Sequence, residues 1–71
     1  MAEEIYAELA ANVWKVEVAE GETVNDGDTL VILESMKMEL PVFATASGVL
    51  RTLAVVEAQA VQEGDLIAVI E

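Results

Sequence analysis

The sequence predicts an all-β fold, a small sandwich or barrel of roughly eight short strands built as two halves related by a pseudo-twofold axis. Three observations predict it. The sequence repeats itself after 37 positions, apolar and polar residues alternate at period two, and turn-forming residues recur at short intervals. A chain of 71 residues accommodates one domain, 1–71, with one core.

The repeat is the strongest of the three. A shift of 37 positions aligns residues 24–34 with residues 61–71, and nine of the eleven pairs are identical or conservative. Two units are too few for a solenoid, which needs three or more, so the repeat indicates a pseudo-twofold axis. Under this axis the equivalent of position 37 is the pair of chain ends. We therefore expect position 37 and the termini at opposite ends of the domain.

The individual elements follow from alternation and from turn residues. Residues 14–18 alternate between apolar and polar, which predicts a strand with one buried face. The apolar runs 30–33 and 40–43 flank residues 36–38, so they predict a hairpin. Residues 68–70 are the repeat mate of 31–33 and predict a closing strand. Turn signals separate these elements at Gly21 and at residues 25–28, 36–38, 46–48 and 63–65.

One turn departs from the repeat. Ala58 and Gln59 stand where the first half has Gly21 and Glu22, so the second turn has no glycine. Because glycine is the residue that most readily adopts positive φ, we expect this turn to be built differently.

Composition excludes several classes of function. Asp and Glu number 14 against 3 Lys and Arg, and the net charge is −11. Such a charge excludes a nucleic-acid ligand and an anionic membrane surface, and it favours protein partners with a basic docking face. With no His, no Cys nucleophile and no glycine-rich phosphate loop, the chain has no enzyme machinery and no usual soft metal site, so we predict no catalytic residue and no metal.

The sequence also gives an expectation of location. The start is acidic where a secretory signal is positive, and no apolar signal core follows it. The longest uncharged stretch, residues 40–50, falls short of the ~18 residues of a membrane span. The absence of cysteine fits a reducing compartment. We expect a cytoplasmic protein that does not cross a membrane.

The candidate functional residue is Lys37, at the predicted hairpin tip. The chain has only two lysines, and the other, Lys15, lies in the polar phase of a predicted strand. Met36 and Met38 flank Lys37 at a turn where Gly, Asn or Asp would be usual. Apolar side chains at an exposed tip indicate a recognition surface. An ordinary exposed lysine is the alternative interpretation of the same residue.

The segment 33–39, Leu-Glu-Ser-Met-Lys-Met-Glu, resembles the attachment motif of biotinyl domains, in which the modified lysine stands between two methionines. The resemblance extends through the repeated Val-x-x-Gly-Asp turns and covers nearly the whole chain. It implies a biotinyl/lipoyl attachment domain: a flattened β-barrel, or barrel-sandwich hybrid, of two four-stranded antiparallel sheets with quasi-twofold symmetry and the acceptor lysine on a hairpin tip. Ser35 replaces the commoner alanine of the motif.

The resemblance also implies a function. A biotin protein ligase would attach biotin to Lys37, and the domain would carry carboxybiotin between the biotin carboxylase and carboxyltransferase sites of an acyl-CoA carboxylase-type system. Met36 and Met38 would be recognised by the ligase, and Glu34, Ser35 and Glu39 would form further hairpin contacts. The carrier itself would be non-catalytic, and a closed barrel with few free strand edges predicts a monomer.

Two other functions remain open from the sequence. A lipoyl carrier of an oxoacid dehydrogenase or glycine-cleavage type system would use the same lysine, with lipoate as the cofactor. The methionines favour biotin, because lipoyl domains usually carry an acidic residue before the lysine. An unmodified protein-interaction module would use the hairpin only as a docking surface.

Overall fold

A computed structural model of the chain describes residues 2–71, and these residues form eight β-strands and no helix, as predicted. No helix suited to spanning a membrane occurs in this part of the chain. The strands are β1 (Glu3–Tyr6), β2 (Ala11–Val16), β3 (Thr23–Val24), β4 (Thr29–Ser35), β5 (Met38–Phe43), β6 (Gly48–Leu53), β7 (Ala60–Val61) and β8 (Leu66–Ile70).

The strands form two four-stranded sheets related by the predicted pseudo-twofold. One sheet has the order β1-β8-β6-β3 and the other β5-β4-β2-β7, and all neighbours are antiparallel. The shift of 37 residues carries each strand onto the strand at the same place in the other sheet. The repeat in the sequence is therefore the topology of the fold, and the expected sandwich of two four-stranded sheets is confirmed.

The two Gly-Asp turns show why the sequence repeat marks a structural repeat. Asn25 N–H donates to Asp28 Oδ2, and Gln62 N–H donates to Asp65 Oδ2, both at 2.8 Å. The glycine within each turn has positive φ, +94° in the first half and +90° in the second. An Asp side chain and a left-handed glycine thus close the same turn before each central strand.

The core lies between the sheets and is entirely apolar. The central strands β4 and β8 contribute buried side chains from both halves, and no polar or charged side chain is buried among the described residues. Its buried members are Ile5, Ala7, Val13, Val24, Leu30, Val31, Leu33, Ala44, Leu50, Val55, Val61, Ile67, Ala68, Val69 and Ile70. The chain has no cysteine, and residues 2–71 hold no group of side chains that could bind a metal ion, so this packing stabilises the fold.

The strand predicted over 14–18 was misplaced by about three residues at its start and two at its end. The observed strand is Ala11–Val16, with a register shift between Val13 and Lys15. The register with β4 runs to Val16, and Glu17 N–H still donates to Leu30 O at 2.9 Å just beyond the strand. Val18 still packs against the core beyond the end of the strand, and this explains why the alternation in sequence continues too far.

The turn at Ala58, which lacks glycine, has the same backbone conformation as the equivalent turn at Gly21, contrary to our expectation. Ala58 adopts φ +72°, close to the +92° of Gly21. Its N–H donates to Val13 O at 2.8 Å, as the N–H of Gly21 donates to Leu50 O at 2.8 Å. The surrounding hydrogen bonds impose the left-handed conformation on an alanine, which glycine would adopt without a steric penalty.

This strain gives a prediction about stability. Ala58→Gly should raise the free energy of unfolding by about 1 kcal/mol, because it removes the Cβ penalty of the left-handed region. Gly21→Ala is the matched control in the other half and should lower it by about the same amount, since a Cβ there meets nothing within 4 Å and only φ opposes it. Urea unfolding measures both variants. A stability loss in Ala58→Gly would contradict the strain.

Candidate functional site

The hairpin between β4 and β5 carries all six of the predicted site residues. The strand pairing ends at Ser35 opposite Met38, and the two residues between them, Met36 and Lys37, form the turn. Their φ angles are +53° and +65°. Positive φ at both central residues is the signature of a type I′ hairpin turn, in which Asn and Gly are usual. Bulky side chains held in that conformation are typical of functional sites.

The base of the hairpin is anchored in the core. Leu33 is buried and pairs across the hairpin with Leu40, which packs against the core. The tip begins two residues beyond this pair on either strand. The position of the turn is therefore set by the packed sheets.

The tip itself is exposed. The Met36 side chain is 92% exposed, Met38 is 61% exposed, and Lys37 is exposed as well. Within residues 2–71 the Lys37 ammonium group makes no hydrogen bond and no ion pair. A long side chain that ends in an ammonium group is thus exposed at the tip, between two exposed apolar side chains.

Two carboxylates lie opposite each other just below the tip. Glu34 pairs with Glu39 across the hairpin, and both are exposed. Like charges in directly opposed positions of an antiparallel pair are destabilising. The two ion pairs of the described residues, Lys15–Glu17 and Arg51–Glu71, leave both of these carboxylates without a cation. The hairpin therefore exposes two negative charges just below its tip.

The predicted separation of the hairpin tip from the chain ends holds for the described residues. Glu3 and Glu71 lie at the far end of the molecule: the hydroxyl of Thr45, two residues after β5, donates to Glu3 Oε1 at 3.4 Å, and Val49 N–H donates to Glu71 O at 2.9 Å. The six residues of β5 separate this end from the tip by about 20 Å.

A residue outside the predicted site also lies near the hairpin. Trp14 is on β2, beside β4, and its side chain is 48% exposed on the outer face of the sheet. Between β2, β7 and the hairpin lies an open depression of about 330 Å³, lined by residues 10–12, 34–36 and 60–62. The sequence contained a sign that Trp14 faces outward, because the repeat aligns it with the charged residue Arg51.

Relatives of similar length match this sequence over nearly all of both chains. A protein-family model described as "Biotin-requiring enzyme" matches residues 1–70. The "Biotinylated protein TB7.3 homolog" of Mycolicibacterium smegmatis is 51% identical over 71 residues and covers 100% of both chains. The homolog of the same name from Mycobacterium leprae is 50% identical over 70 residues and covers 99% of both chains.

Longer relatives and solved structures share the same domain. The "Biotin-dependent acyl-coenzyme A carboxylase alpha3 subunit" of Mycobacterium leprae is 45% identical over 67 residues, 94% of this chain and 11% of that protein. The crystal structure of Kluyveromyces lactis urea carboxylase matches all of this chain with a TM-score of 0.92 and 39% identity, over 6% of its own length. A single-chain, multi-domain long-chain acyl-CoA carboxylase matches 96% with a TM-score of 0.88 and 32% identity, over 7% of its length.

The matched parts of these structures share the two-sheet sandwich described above. The family model covers nearly all of the chain, and the mycobacterial relatives match it from end to end. The segment that resembles the biotinyl attachment motif forms the hairpin whose exposed turn holds Met36 and Lys37 at positive φ. This chain belongs to the biotin/lipoyl attachment family.

Proposed function

We propose that this protein is a biotin carrier domain in which Lys37 Nζ is the attachment atom. The observation that carries the proposal is the two-residue turn of Met36 and Lys37. It holds both residues at positive φ and leaves the lysine side chain without an intramolecular partner among the described residues. A turn optimised only for stability would carry Asn-Gly. Presentation of the amine to another protein explains the choice of residues.

The choice of biotin over lipoate is supported by the methionines and by the relatives. Met36 and Met38 flank the lysine, as in the motif of biotinyl domains, and the full-length relatives are named as biotinylated proteins. Both methionine side chains are more than half exposed, so they cover little of the core. Their flexible, polarizable thioethers suit contact with a ligase surface.

Attachment requires a ligase, because this chain supplies the nucleophile alone. In the proposed step, the deprotonated Lys37 amine would attack the acyl carbon of biotinyl-adenylate. A C–N bond would form, the acyl C–O bond to the phosphate would break with release of AMP, and the new amide nitrogen would give up its second proton. Among the described residues no side chain accepts a hydrogen bond from Lys37, so the ligase would supply the base. The hairpin contributes position: its packed base fixes where the amine enters the ligase site.

The attached arm would serve carboxyl transfer. Biotin supplies a ureido nitrogen that accepts and releases a carboxyl group. The chain contributes a rigid anchor for the flexible lysyl arm, which raises the effective concentration of the carried group at each active site. Relatives named as an acyl-CoA carboxylase subunit and a urea carboxylase contain this domain, so we propose biotin carboxylase and carboxyltransferase partners. The charge of −11 favours partners with basic docking faces.

Intact mass tests the proposal directly. The protein is co-expressed with a biotin protein ligase in medium containing biotin, and its mass is compared with that of protein made without the ligase. We expect one biotinyl group, located on Lys37 by peptide fragmentation. A lipoyl adduct on the same residue would replace biotin by lipoate in the proposal. No adduct, under conditions that label a control acceptor, would leave the hairpin as an unmodified docking surface.

A further inference from the structure

The two halves of the domain differ at the surface position that Trp14 occupies in the first half and Arg51 in the second. In the second half Arg51 Nη1 and Glu71 Oε2 form an ion pair at 2.7 Å. The shift of 37 residues places Trp14 on Arg51 and Glu34 on Glu71. The first half thus keeps the carboxylate and has an indole where the second half has the guanidinium.

The backbone around these positions is the same in both halves. Arg51 lies at the register shift between Leu50 and Thr52, and Trp14 lies at the equivalent shift between Val13 and Lys15. Both side chains stand on the outer face, next to an inward-facing core residue. Arg51 reaches Glu71 from this bulge, and the equivalent bulge places Trp14 on the outer face of β2, two residues from Asn12, which pairs with Glu34.

An indole beside an unpaired carboxylate is suited to bind an arginine. The guanidinium stacks its plane on an aromatic face while its edge donates two hydrogen bonds to a carboxylate. Trp14 is half-exposed, and Glu34 has no cation partner within residues 2–71. Glu39, directly opposite Glu34, adds a second negative charge to the same place. Trp and Arg are also the side chains most enriched at the centres of protein interfaces.

We propose that Trp14 and Glu34 form a receptor for an arginine side chain of the biotin protein ligase that modifies Lys37. The partner's arginine would complete in the first half the ion pair that Arg51 and Glu71 make within the second half. The proposal rests on the proposed function. The ligase is the partner because the Lys37 amine itself must enter its active site, which brings the ligase surface onto the hairpin three residues from Glu34. Enzymes that act on the end of the biotinyl arm reach their target from farther away.

Exchanging the two side chains between the halves tests the proposal. In Trp14→Arg, the introduced arginine pairs with Glu34 and repels the ligase arginine, so we expect the KM for biotinylation to rise about tenfold with kcat unchanged. Arg51→Trp is the matched control on the opposite half and should leave both constants within twofold of the wild-type values. Thermal unfolding of both variants checks that the fold persists. A KM within twofold of wild type for Trp14→Arg would overturn the proposal.

A second pair of substitutions separates the receptor from a general change of charge. Trp14→Ala adds no charge, and Glu34→Gln keeps the shape of the side chain. Each should raise the KM severalfold, and the double variant should raise it by less than the product of the two, because both residues bind one guanidinium. Independent, multiplying effects would contradict a shared receptor. If the wild-type protein takes up no biotin, the proposed function fails and this proposal fails with it, so the wild-type control distinguishes the two failures.

Binding without catalysis provides a further readout. Trp14 is the only tryptophan, so protein labelled with 5-fluorotryptophan gives one ¹⁹F resonance. Addition of the ligase should shift or broaden this resonance, and the effect should weaken in Glu34→Gln and in raised salt. If the resonance stays unchanged at a ligase concentration at which the rate of biotinylation no longer rises, Trp14 lies outside the interface and the proposal is overturned.

Discussion

Lys37→Arg is expected to abolish biotin incorporation while leaving the melting temperature unchanged. Arginine keeps the positive charge and the length of the side chain, but its guanidinium stays protonated and is no acylation nucleophile under these conditions. The fold does not depend on the lysine, because the side chain is exposed and makes no hydrogen bond or ion pair within residues 2–71. Intact mass after co-expression with the ligase measures the loss.

Lys15→Arg is the matched control. Lys15 is the only other lysine, and it lies on β2 with a 4.0 Å contact to Glu17. We expect full biotinylation of this variant. Labelling that survives in Lys37→Arg and disappears in Lys15→Arg would show that Lys15, and not Lys37, is the acceptor.

Lys37→Gly adds a test of the turn. This variant should also lose all labelling, but its free energy of unfolding should rise by about 1 kcal/mol, because glycine adopts positive φ without a steric penalty.

Leu30→Ala is expected to destabilise the protein by about 3 kcal/mol, a large part of its total stability. Leu30 lies on β4 between the two sheets, and 0% of its surface is exposed. Among the described residues neither a disulfide nor a metal-binding group adds to the stability of this core. Small domains of this length have about 4–10 kcal/mol of stability in all. In urea the transition midpoint should fall by about 3 M for a dependence near 1 kcal/mol per M. Fluorescence of the single tryptophan monitors the transition.

Leu9→Ala makes the same chemical change at a surface position. Leu9 lies between β1 and β2 and is 39% exposed, so its truncation leaves no closed cavity and should cost less than about 1 kcal/mol. Equal losses in the two variants would show that burial between the sheets is not what stabilises the fold. Ile67→Ala, at the repeat mate of Leu30, should behave as Leu30→Ala does, because it is equally buried.

The two-halved topology could be predicted because the repeat includes turn and core residues that the fold requires at fixed positions. Gly27 and Gly64 supply the positive φ that the equivalent turns of the two halves require, and Leu30 and Ile67 are fully buried at equivalent positions of the two halves. The division into two four-stranded sheets came from the family resemblance, and the order of strands within each sheet came from the structure, since alternation shows which face of a strand is buried but not which strand lies beside it.

The errors of prediction share one physical origin. Neither the bulge at Trp14 nor the positive φ of Ala58 is a local preference of those residues. Hydrogen bonds from distant strands impose both, as in the contacts of Ala58 and Val13. The hairpin was predictable for the opposite reason: its apolar flanks and two-residue turn are local in sequence. The neighbourhood of Glu34, by contrast, depends on the pairing of β2 with β4 and emerged only from the structure.

The position of the two chain ends explains how one domain serves proteins of very different size. Both ends leave the sandwich about 20 Å from Lys37, on the side away from the acceptor hairpin. A polypeptide joined there adds nothing to the surface that a ligase must cover. The same 71 residues therefore correspond to a whole mycobacterial relative and to 6% of a urea carboxylase. Under the proposed function, the length of one strand separates the attachment point on Lys37 from Glu3 and Glu71.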